Sequence, residues 1–252
     1  MRSRLSRRGF LGAAGFAGLR TAAAGAAGVA GGAPAGSVRI VGVACSPRKG
    51  KTSLAALRVA LEAAKAVDPR IEIEAVELAG LQLPGQVALG LPLAPGEKDD
   101  FPQVLAKLTD PKVAGIIVAT PVYFSGMSYL CKAFIDRLGI ARKNNFALAD
   151  KVGGVIAVGG VRNGGQELAI QGVQNALLCQ EMVLVGDGRP TCHTGATLLN
   201  PGTDDISGDE FGLSTAKPKF LHVKPDKSLA GWKMTSASAA VYCLHSLGRN
   251  AQ

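Results

Sequence analysis

The sequence has 252 residues, of which 47% are hydrophobic and 19% are charged, which is enough for one sizeable core. Its net charge of +9 suggests an anionic partner, but the charge lies at the ends of the chain. Residues 1–36 contain five arginines and no acid, and residues 213–252 contain six basic residues and one acid. The remaining stretch holds 17 basic and 18 acidic residues, so we expect no nucleic-acid partner.

The first 36 residues have the pattern of a targeting segment. Arg7 and Arg8 follow a basic start and precede Phe10, Leu11 and a run rich in alanine and glycine. This order resembles a twin-arginine export signal, which directs folded proteins across a bacterial inner membrane. We therefore expect segment 1–36 to be disordered or removed and the protein to be exported to the periplasm by the twin-arginine machinery. A disordered basic tail is the alternative.

From Val38 onwards, apolar runs alternate with segments of helical period, which is typical of β-α-β units around a parallel sheet. Ile71 and Ile73 alternate with glutamates, which fits an edge strand, whereas the later runs are almost continuously apolar, which fits central strands. We predict an α/β, doubly wound, five-stranded parallel sheet in the order 2-1-3-4-5 within residues 37–212. The five runs are 38–44, 70–78, 113–120, 151–158 and 182–187.

Helical spacing of apolar residues predicts four helices between these strands. They lie near residues 52–66, 99–109, 127–139 and 165–180. Segment 81–97 is broken by prolines and predicts a loop. A helix closing the last face of the sheet is expected after Gly212, but Pro218 and Pro225 interrupt a basic segment there. Residues 213–252 are therefore assigned as an atypical basic tail.

The turn after the first strand reads "CSPRKGKTS" and raises the question of a nucleoside-triphosphate loop. Gly50, Lys51 and Thr52 match the second half of a P-loop, but Cys45 stands where the first glycine belongs. ATP chemistry also needs Mg²⁺, which is usually held by an acid at the end of another central strand. The central strands run into Thr-Pro and Gly-Gly instead, so the P-loop interpretation is the weaker one.

A flavin mononucleotide is the competing ligand, because its single phosphate suits a strand-to-helix turn with no metal. Hydroxyls, cations and the positive end of the helix dipole converge on an anion in such a turn. The candidate phosphate-binding residues are Ser46, Arg48, Lys51, Thr52 and Ser53. A capped helix start alone would explain the last two but not the whole cluster.

Two further turns follow the inner strands, at the edge where open parallel sheets bind ligands. In the first, "TPVYFSG", a proline is expected to stop the strand, and aromatic residues offer surface to a flat heterocycle. In the second, "GGVRNGGQELA", glycines let the backbone approach a ligand closely. The candidate residues are Pro121, Val122, Tyr123, Phe124 and Ser125, then Gly160, Arg162, Gly164 and Gln166, with Arg162 and Gln166 toward the pyrimidine edge.

Together, "SPRKGKTS", "TPVYFSGMSYLCKAFIDR" and "GGVRNGGQELA" resemble the NADPH-dependent FMN reductase and iron-sulfur flavoprotein group of the flavodoxin-like fold. The resemblance implies that the first turn holds the FMN phosphate and that the other two hold the isoalloxazine. It also implies NADPH or NADH as co-substrate, a small-molecule electron acceptor such as a quinone or flavin, and a homodimer or homotetramer. Asp136 and Arg137 would brace a helix or a subunit interface.

One departure from this group concerns the iron-sulfur cluster. Residues 81–98, where those members carry a compact cysteine cluster, contain no cysteine, and the five cysteines of the chain are scattered with no C-x-x-C pair. We therefore expect no metal site. Hydride transfer needs no catalytic acid or base, so no catalytic side chain is predicted. The alternatives are an FMN electron carrier reduced by a protein partner, a P-loop NTPase, and a relative that no longer folds.

Overall fold

The computed structural model describes residues 37–188 and 193–217, and the predicted export segment and most of the basic tail lie outside these residues. In this described part, seven strands form one sheet. They are β1 (Val38–Ala44), β2 (Ile71–Glu77), β3 (Val113–Tyr123), β4 (Gly126–Met127), β5 (Val152–Gly159), β6 (Val183–Leu184) and β7 (Ala196–Leu199). The helices are α1 (Thr52–Lys65), α2 (Phe101–Thr109), α3 (Tyr129–Arg137), α4 (Gly139–Lys143), α5 (Gln166–Leu178) and α6 (Glu210–Ala216).

The order of the main strands is β2-β1-β3-β5-β6, which confirms the predicted order 2-1-3-4-5. The pairs along this path are all parallel, and β2 forms the predicted edge. The short strand β4 pairs antiparallel with the end of β3. The fold is therefore the flavodoxin-like α/β sheet, with the carboxyl ends of β1, β3 and β5 at one edge.

The last position of the sheet differs from the prediction, because two short strands share it. Of the predicted strand 182–187, only β6 pairs along the start of β5. The later strand β7 pairs with the rest of β5, from Ile156 to Gly159. Between the two strands, Gly186 lies so close to the backbone of His193 that a Cβ would not fit. The chain thus stops pairing with β5 after β6 and returns as β7 to pair with the rest of β5 at the same edge of the sheet.

Side chains along each inner strand point alternately to the two faces of the sheet, so each strand contributes to both hydrophobic cores. In β1, Val41 and Val43 face a core formed with α2, α3 and α5, whereas Ile40 and Ala44 face a core formed with α1 and α6. Helix α1 lies very close to β1, because a Cβ added to Gly42 would lie 2.7 Å from the Leu57 side chain. This close packing fixes the N-terminus of α1 at the end of β1.

Helix α6 provides the closing helix that the sequence left unplaced. It packs against β7 and α1, and Ala216 is buried in the core on the α1 side. The helix runs across the predicted boundary at residue 212. Residues 218–252 lie outside the described residues, so their assignment as a separate tail stays a prediction.

Arg137 braces α3 against the segment that precedes α2. Its guanidinium forms two hydrogen bonds with the carboxylate of Asp99, at 2.9 and 2.6 Å, and a third with the Pro84 carbonyl. It also lies 4.6 Å from the centre of the Phe101 ring. The Arg137 side chain is only 5% exposed, so the bracing role holds within one chain.

In the described segments, no helix is long and apolar enough to span a bilayer.

Candidate functional site

The turn after β1 and the turn after β3 are joined by buried hydrogen bonds. Ser128 caps the N-terminus of α3, and its Oγ also donates to the Cys45 carbonyl at 2.6 Å. The Ser128 backbone N–H donates to Thr120 Oγ1, so the capping residue contacts the ends of both strands. The first turn (residues 45–53) and the hairpin turn (residues 121–128) therefore form one connected surface.

The hairpin turn also contacts the glycine-rich turn after β5 (residues 159–166). Gly165, in a left-handed conformation with φ of 101°, lies directly against Ser125. A Cβ on Gly165 would lie 2.7 Å from the Ser125 Cβ, so only glycine permits this contact. The carboxyl ends of three neighbouring strands thus meet at one rim.

Asn200, which follows β7, links the first turn to the glycine-rich turn. Its backbone N–H donates to the Gly159 carbonyl at 2.8 Å, and its Nδ2 donates to Thr52 Oγ1 at 3.3 Å. Asn200 is not among the site residues that the sequence predicts. The short apolar run 196–199 followed by Asn-Pro-Gly could have indicated a strand that ends at the same rim.

The first turn is shaped to receive an anion. Ser46 is buried, and its Oγ exchanges hydrogen bonds with the backbone of Arg48. Lys51 is the N-cap residue of α1 but makes no side-chain cap, and the first turn of the helix contains no acid. Ser53 is buried, and its Oγ has no hydrogen-bond partner among the described residues. A buried hydroxyl at a helix N-terminus without a partner fits a ligand phosphate.

Two of the three cations of the first turn, Arg48 and Lys51, share one carboxylate. Asp204 contacts Arg48 Nη1 through one oxygen and Lys51 Nζ through the other, each at 2.9 Å. The hydrogen bond from Lys51, together with the charges of Arg48 and Lys51, lowers the pKa of Asp204 below its usual value. Asp204 is not among the residues that the sequence predicts for the first turn.

Strand β3 continues through Pro121 to Tyr123, so the prediction that Pro121 stops the strand is wrong. The pairing of β1 with β3 ends at Ala44, opposite Ala119, so the missing N–H of Pro121 removes no hydrogen bond on that side. Val122 lies two residues before the tip of the hairpin turn at Phe124 and Ser125, and it pairs with β4.

The tip of the hairpin turn is strained and exposed. Phe124 and Ser125 have φ of 48° and 62°, the left-handed values of a type I′ turn, which asparagine and glycine normally occupy. The Phe124 ring is fully exposed, and Tyr123 is 42% exposed. Strained, exposed residues of this kind concentrate at functional sites. The tip therefore presents aromatic surface at the rim, as the sequence predicts.

Gln166 holds the glycine-rich turn in shape. The side chain is buried, with Nε2 donating to the Val161 carbonyl at 2.7 Å and Oε1 accepting from the Gly164 N–H at 2.9 Å. Gly160 lies beside the backbone of Asn200, and a Cβ there would make only ordinary contact. The Gln166 amide is thus used inside the turn, and its contact with a cofactor stays a prediction.

Arg162 points to the β7 side of the turn. It forms an ion pair with the buried carboxylate of Asp209 and stacks over Phe211, with 5.2 Å between its guanidinium carbon and the ring centre. A cleft of about 240 Å³ lies beside it and is also lined by Glu167 and Thr197. Arg162 therefore has partners within the protein, and its predicted contact with the pyrimidine edge is untested.

Strand order and turn positions define the class as a flavodoxin-like protein whose turns after β1, β3 and β5 meet at one rim. The chain belongs to the NADPH-dependent FMN reductase family, whose model matches residues 38–196. It is 38% identical over 184 residues to an iron-sulfur flavoprotein of Methanocaldococcus jannaschii and 34% identical over 186 residues to one of Methanosarcina thermophila. Each match covers 71% of this chain and 92% of the relative.

The fold is also similar to the solved structure of a flavodoxin, WrbA-like protein from Agrobacterium tumefaciens. The TM-score is 0.54 at 18% identity, and the match covers 83% of this chain and 99% of that chain. At this identity the similarity concerns the fold.

An iron-sulfur cluster does not fit the residues that the structure describes. In the ranges that the structure describes, no group of three or more His, Cys, Asp or Glu side chains is placed to hold a metal ion. Cys45 and Cys131 are buried and Cys179 is exposed. Burial raises the pKa of the Cys45 thiol well above its usual value, so this cysteine is a neutral core residue.

Proposed function

We propose that this protein is an FMN-dependent NAD(P)H oxidoreductase that passes electrons to a quinone, a flavin or a similar small acceptor. One observation carries the proposal: three turns meet at one rim, and the first of them contains Arg48, Lys51 and the buried Ser53 hydroxyl, which has no hydrogen-bond partner among the described residues. The membership of the family supports FMN as the cofactor. When bound, FMN supplies the redox chemistry by accepting a hydride from a nicotinamide and passing electrons on.

The residues of the first turn would bind the FMN phosphate. Arg48 and Lys51 supply positive charge, Ser53 Oγ supplies a buried hydroxyl without a partner in the described ranges, and the N-terminus of α1 adds the positive end of its dipole. Thr52 lies beside Ser53 and shares its hydroxyl with Asn200. The turn therefore places hydrogen-bond donors and charge where a dianionic phosphate is stabilised.

The other two turns would orient the flavin ring. The hairpin turn offers Tyr123 and Phe124 as aromatic surface, and Ser125 in its strained tip lies beside Gly165. Gly160 and Gly164 keep the backbone of the third turn free of side chains at the rim. No acid or base at the rim is required, because the proposed reaction transfers a hydride and electrons.

An anaerobic mixing experiment tests the proposed reaction. The FMN-loaded protein is mixed with NADPH or with NADH, and the flavin absorbance is followed. Rapid bleaching by at least one nucleotide is expected, and its rate identifies the preferred one. A flavin that binds tightly but is bleached by neither nucleotide contradicts the reductase.

An FMN electron carrier reduced by a protein partner is the second candidate. The fully exposed Phe124 at the rim favours it, because an exposed aromatic residue beside a redox centre suits contact with a protein surface. The same mixing experiment separates the two functions. A carrier keeps its absorbance with both nucleotides and loses it with a chemical reductant such as dithionite.

Export and assembly are further parts of the proposal. The twin-arginine pattern at Arg7 and Arg8 supports export to the periplasm, and fractionation of cells that express the full chain tests it. Replacing both arginines with lysine should retain the protein in the cytoplasm. A homodimer or homotetramer is proposed from the family resemblance, and light scattering of the purified protein measures the subunit number.

A further inference from the structure

Asp204 is a counter-ion to Arg48 and Lys51 of the first turn. Its two carboxylate oxygens bind one cation each, Arg48 Nη1 and Lys51 Nζ, both at 2.9 Å. These are the two cations that the proposed function assigns to the FMN phosphate. The contact joins parts of the chain that are 156 residues apart in sequence, so it is a tertiary feature of the fold.

The turn that carries Asp204 is built to present this carboxylate. Asn200 Oδ1 accepts hydrogen bonds from the N–H groups of Gly202 and Asp204, each at 3.1 Å. The Asn200 Nδ2 donates to Thr52 Oγ1, which ties the turn to the start of α1. Asp204 itself has φ of 57°, a left-handed conformation. One side chain thus folds residues 200–204 and attaches them beside the first turn.

We propose that Asp204 is an internal anion that competes with the cofactor phosphate for Arg48 and Lys51. The inference rests on the proposed function, because it assigns the phosphate to the same two cations. In the protein without cofactor, the carboxylate neutralises part of the charge of the two cations and stabilises the rim. When the phosphate binds, the cations turn to it, and the turn at residues 200–204 loses its ionic attachment to the first turn.

The exposure of the three side chains shows that the carboxylate can be displaced. Arg48 is 50% exposed, Lys51 is 42% exposed and Asp204 is 32% exposed, so each ion pair is screened by water and weak. A phosphate carries more charge than a carboxylate and has three acceptor oxygens. It can also use the buried Ser53 hydroxyl, for which no partner exists among the described residues. The phosphate therefore displaces the carboxylate, but its affinity is lower than it would be without Asp204.

The test compares Asp204→Asn with wild-type protein, both freed of flavin. Asparagine tolerates the left-handed backbone and keeps the N–H that Asn200 binds, so the turn is retained and only the charge is lost. The matched control is Asp205→Asn, because the Asp205 carboxylate accepts hydrogen bonds from the N–H and Oγ of Ser207 and pairs with no cation among the described residues. Each protein is titrated with FMN and with riboflavin, which lacks the phosphate.

We expect Asp204→Asn to bind FMN about three- to tenfold more tightly than wild type, since two exposed ion pairs no longer compete. Riboflavin affinity should not change, and Asp205→Asn should behave as wild type with both ligands. Weaker or unchanged FMN binding by Asp204→Asn overturns the proposal. Weaker binding would mean that Asp204 positions the cations for the phosphate.

A second readout needs no flavin and separates this proposal from the proposed function. Inorganic phosphate is added to the flavin-free proteins, and the thermal midpoint is measured. Asp204→Asn should melt at a lower temperature than wild type without phosphate and should be stabilised at lower phosphate concentrations. If wild type binds neither FMN nor riboflavin, the proposed function fails, and the phosphate response still decides the role of Asp204. Equal phosphate responses overturn it.

Discussion

Gly165 lies directly against Ser125, so that a Cβ at position 165 would lie 2.7 Å from the Ser125 Cβ. The contact joins the turn after β5 to the strained tip of the hairpin after β3. It requires both the absent side chain and the left-handed φ of 101° at Gly165. The contact between these two turns therefore depends on Gly165, where the packing leaves no space for a side chain.

Gly165→Ala should destabilise the protein by roughly 2 to 4 kcal/mol, from backbone strain and from the collision with Ser125. The free energy of unfolding in urea measures this change. Gly160→Ala is the matched control in the same turn, because its Cβ would lie no nearer than 3.9 Å to the Asn200 carbonyl. Equal losses in the two variants would contradict the close contact.

Arg48→Ala should weaken FMN binding by about 1 to 3 kcal/mol through loss of a charge-assisted contact with the phosphate. Calorimetric titration with FMN measures the effect, and riboflavin affinity should stay the same. Arg70→Ala serves as the control, because Arg70 pairs with Asp68 at the start of β2, away from the rim. Unchanged FMN affinity in Arg48→Ala would remove this residue from the site.

Phe124→Asn should raise the stability of the flavin-free protein by about 1 kcal/mol, because asparagine suits the left-handed position of a type I′ turn. The same change should weaken flavin binding, since the aromatic surface at the rim is lost. Thermal melting and flavin titration measure the two effects. A variant that is more stable and binds flavin as well as wild type would exclude Phe124 from the site.

Asp99→Asn should destabilise the protein by about 3 kcal/mol, because it leaves the buried Arg137 without its counter-ion. The hydrogen bond from Arg137 lowers the pKa of Asp99, so its folded value lies below the unfolded value of about 3.9. The contribution is therefore complete above that value and is lost as the pH falls through the folded pKa.

Measurements of unfolding free energy from pH 6 down to about 3 test this sign. Asp99→Asn should lose less stability on acidification than wild type does. Asp136→Asn is the control, because the Asp136 pair with Lys132 is exposed and should contribute less than about 1 kcal/mol. A parallel acid dependence in Asp99→Asn and wild type would show that the pair is not ionised as described.

The sheet could be predicted because its signals are local. The alternation in β2 and the continuous apolar runs of β3 and β5 each report the burial of one strand. The shared edge position could not be predicted, because β6 pairs through only two residues and β7 through four. Such short strands depend on the neighbouring strand more than on their own sequence.

The position of the candidate site followed from the turns, but the partners of its side chains did not. Arg162 and Gln166 are residue types that often contact ligands. In the folded chain, however, Asp209 binds Arg162, and the backbone of the glycine-rich turn binds Gln166. Asp204 meets Arg48 across 156 residues of sequence. Residues this far apart in sequence meet because the chain returns to the rim after β7, and no local sequence pattern predicts that return.

The visible absorption spectrum of the purified protein, with identification of any flavin released by heat, is the most direct test of FMN binding at the rim. We expect flavin bands and about one FMN per folded chain. Protein that is colourless, shows a folded circular-dichroism spectrum and does not quench the fluorescence of added FMN would contradict this assignment.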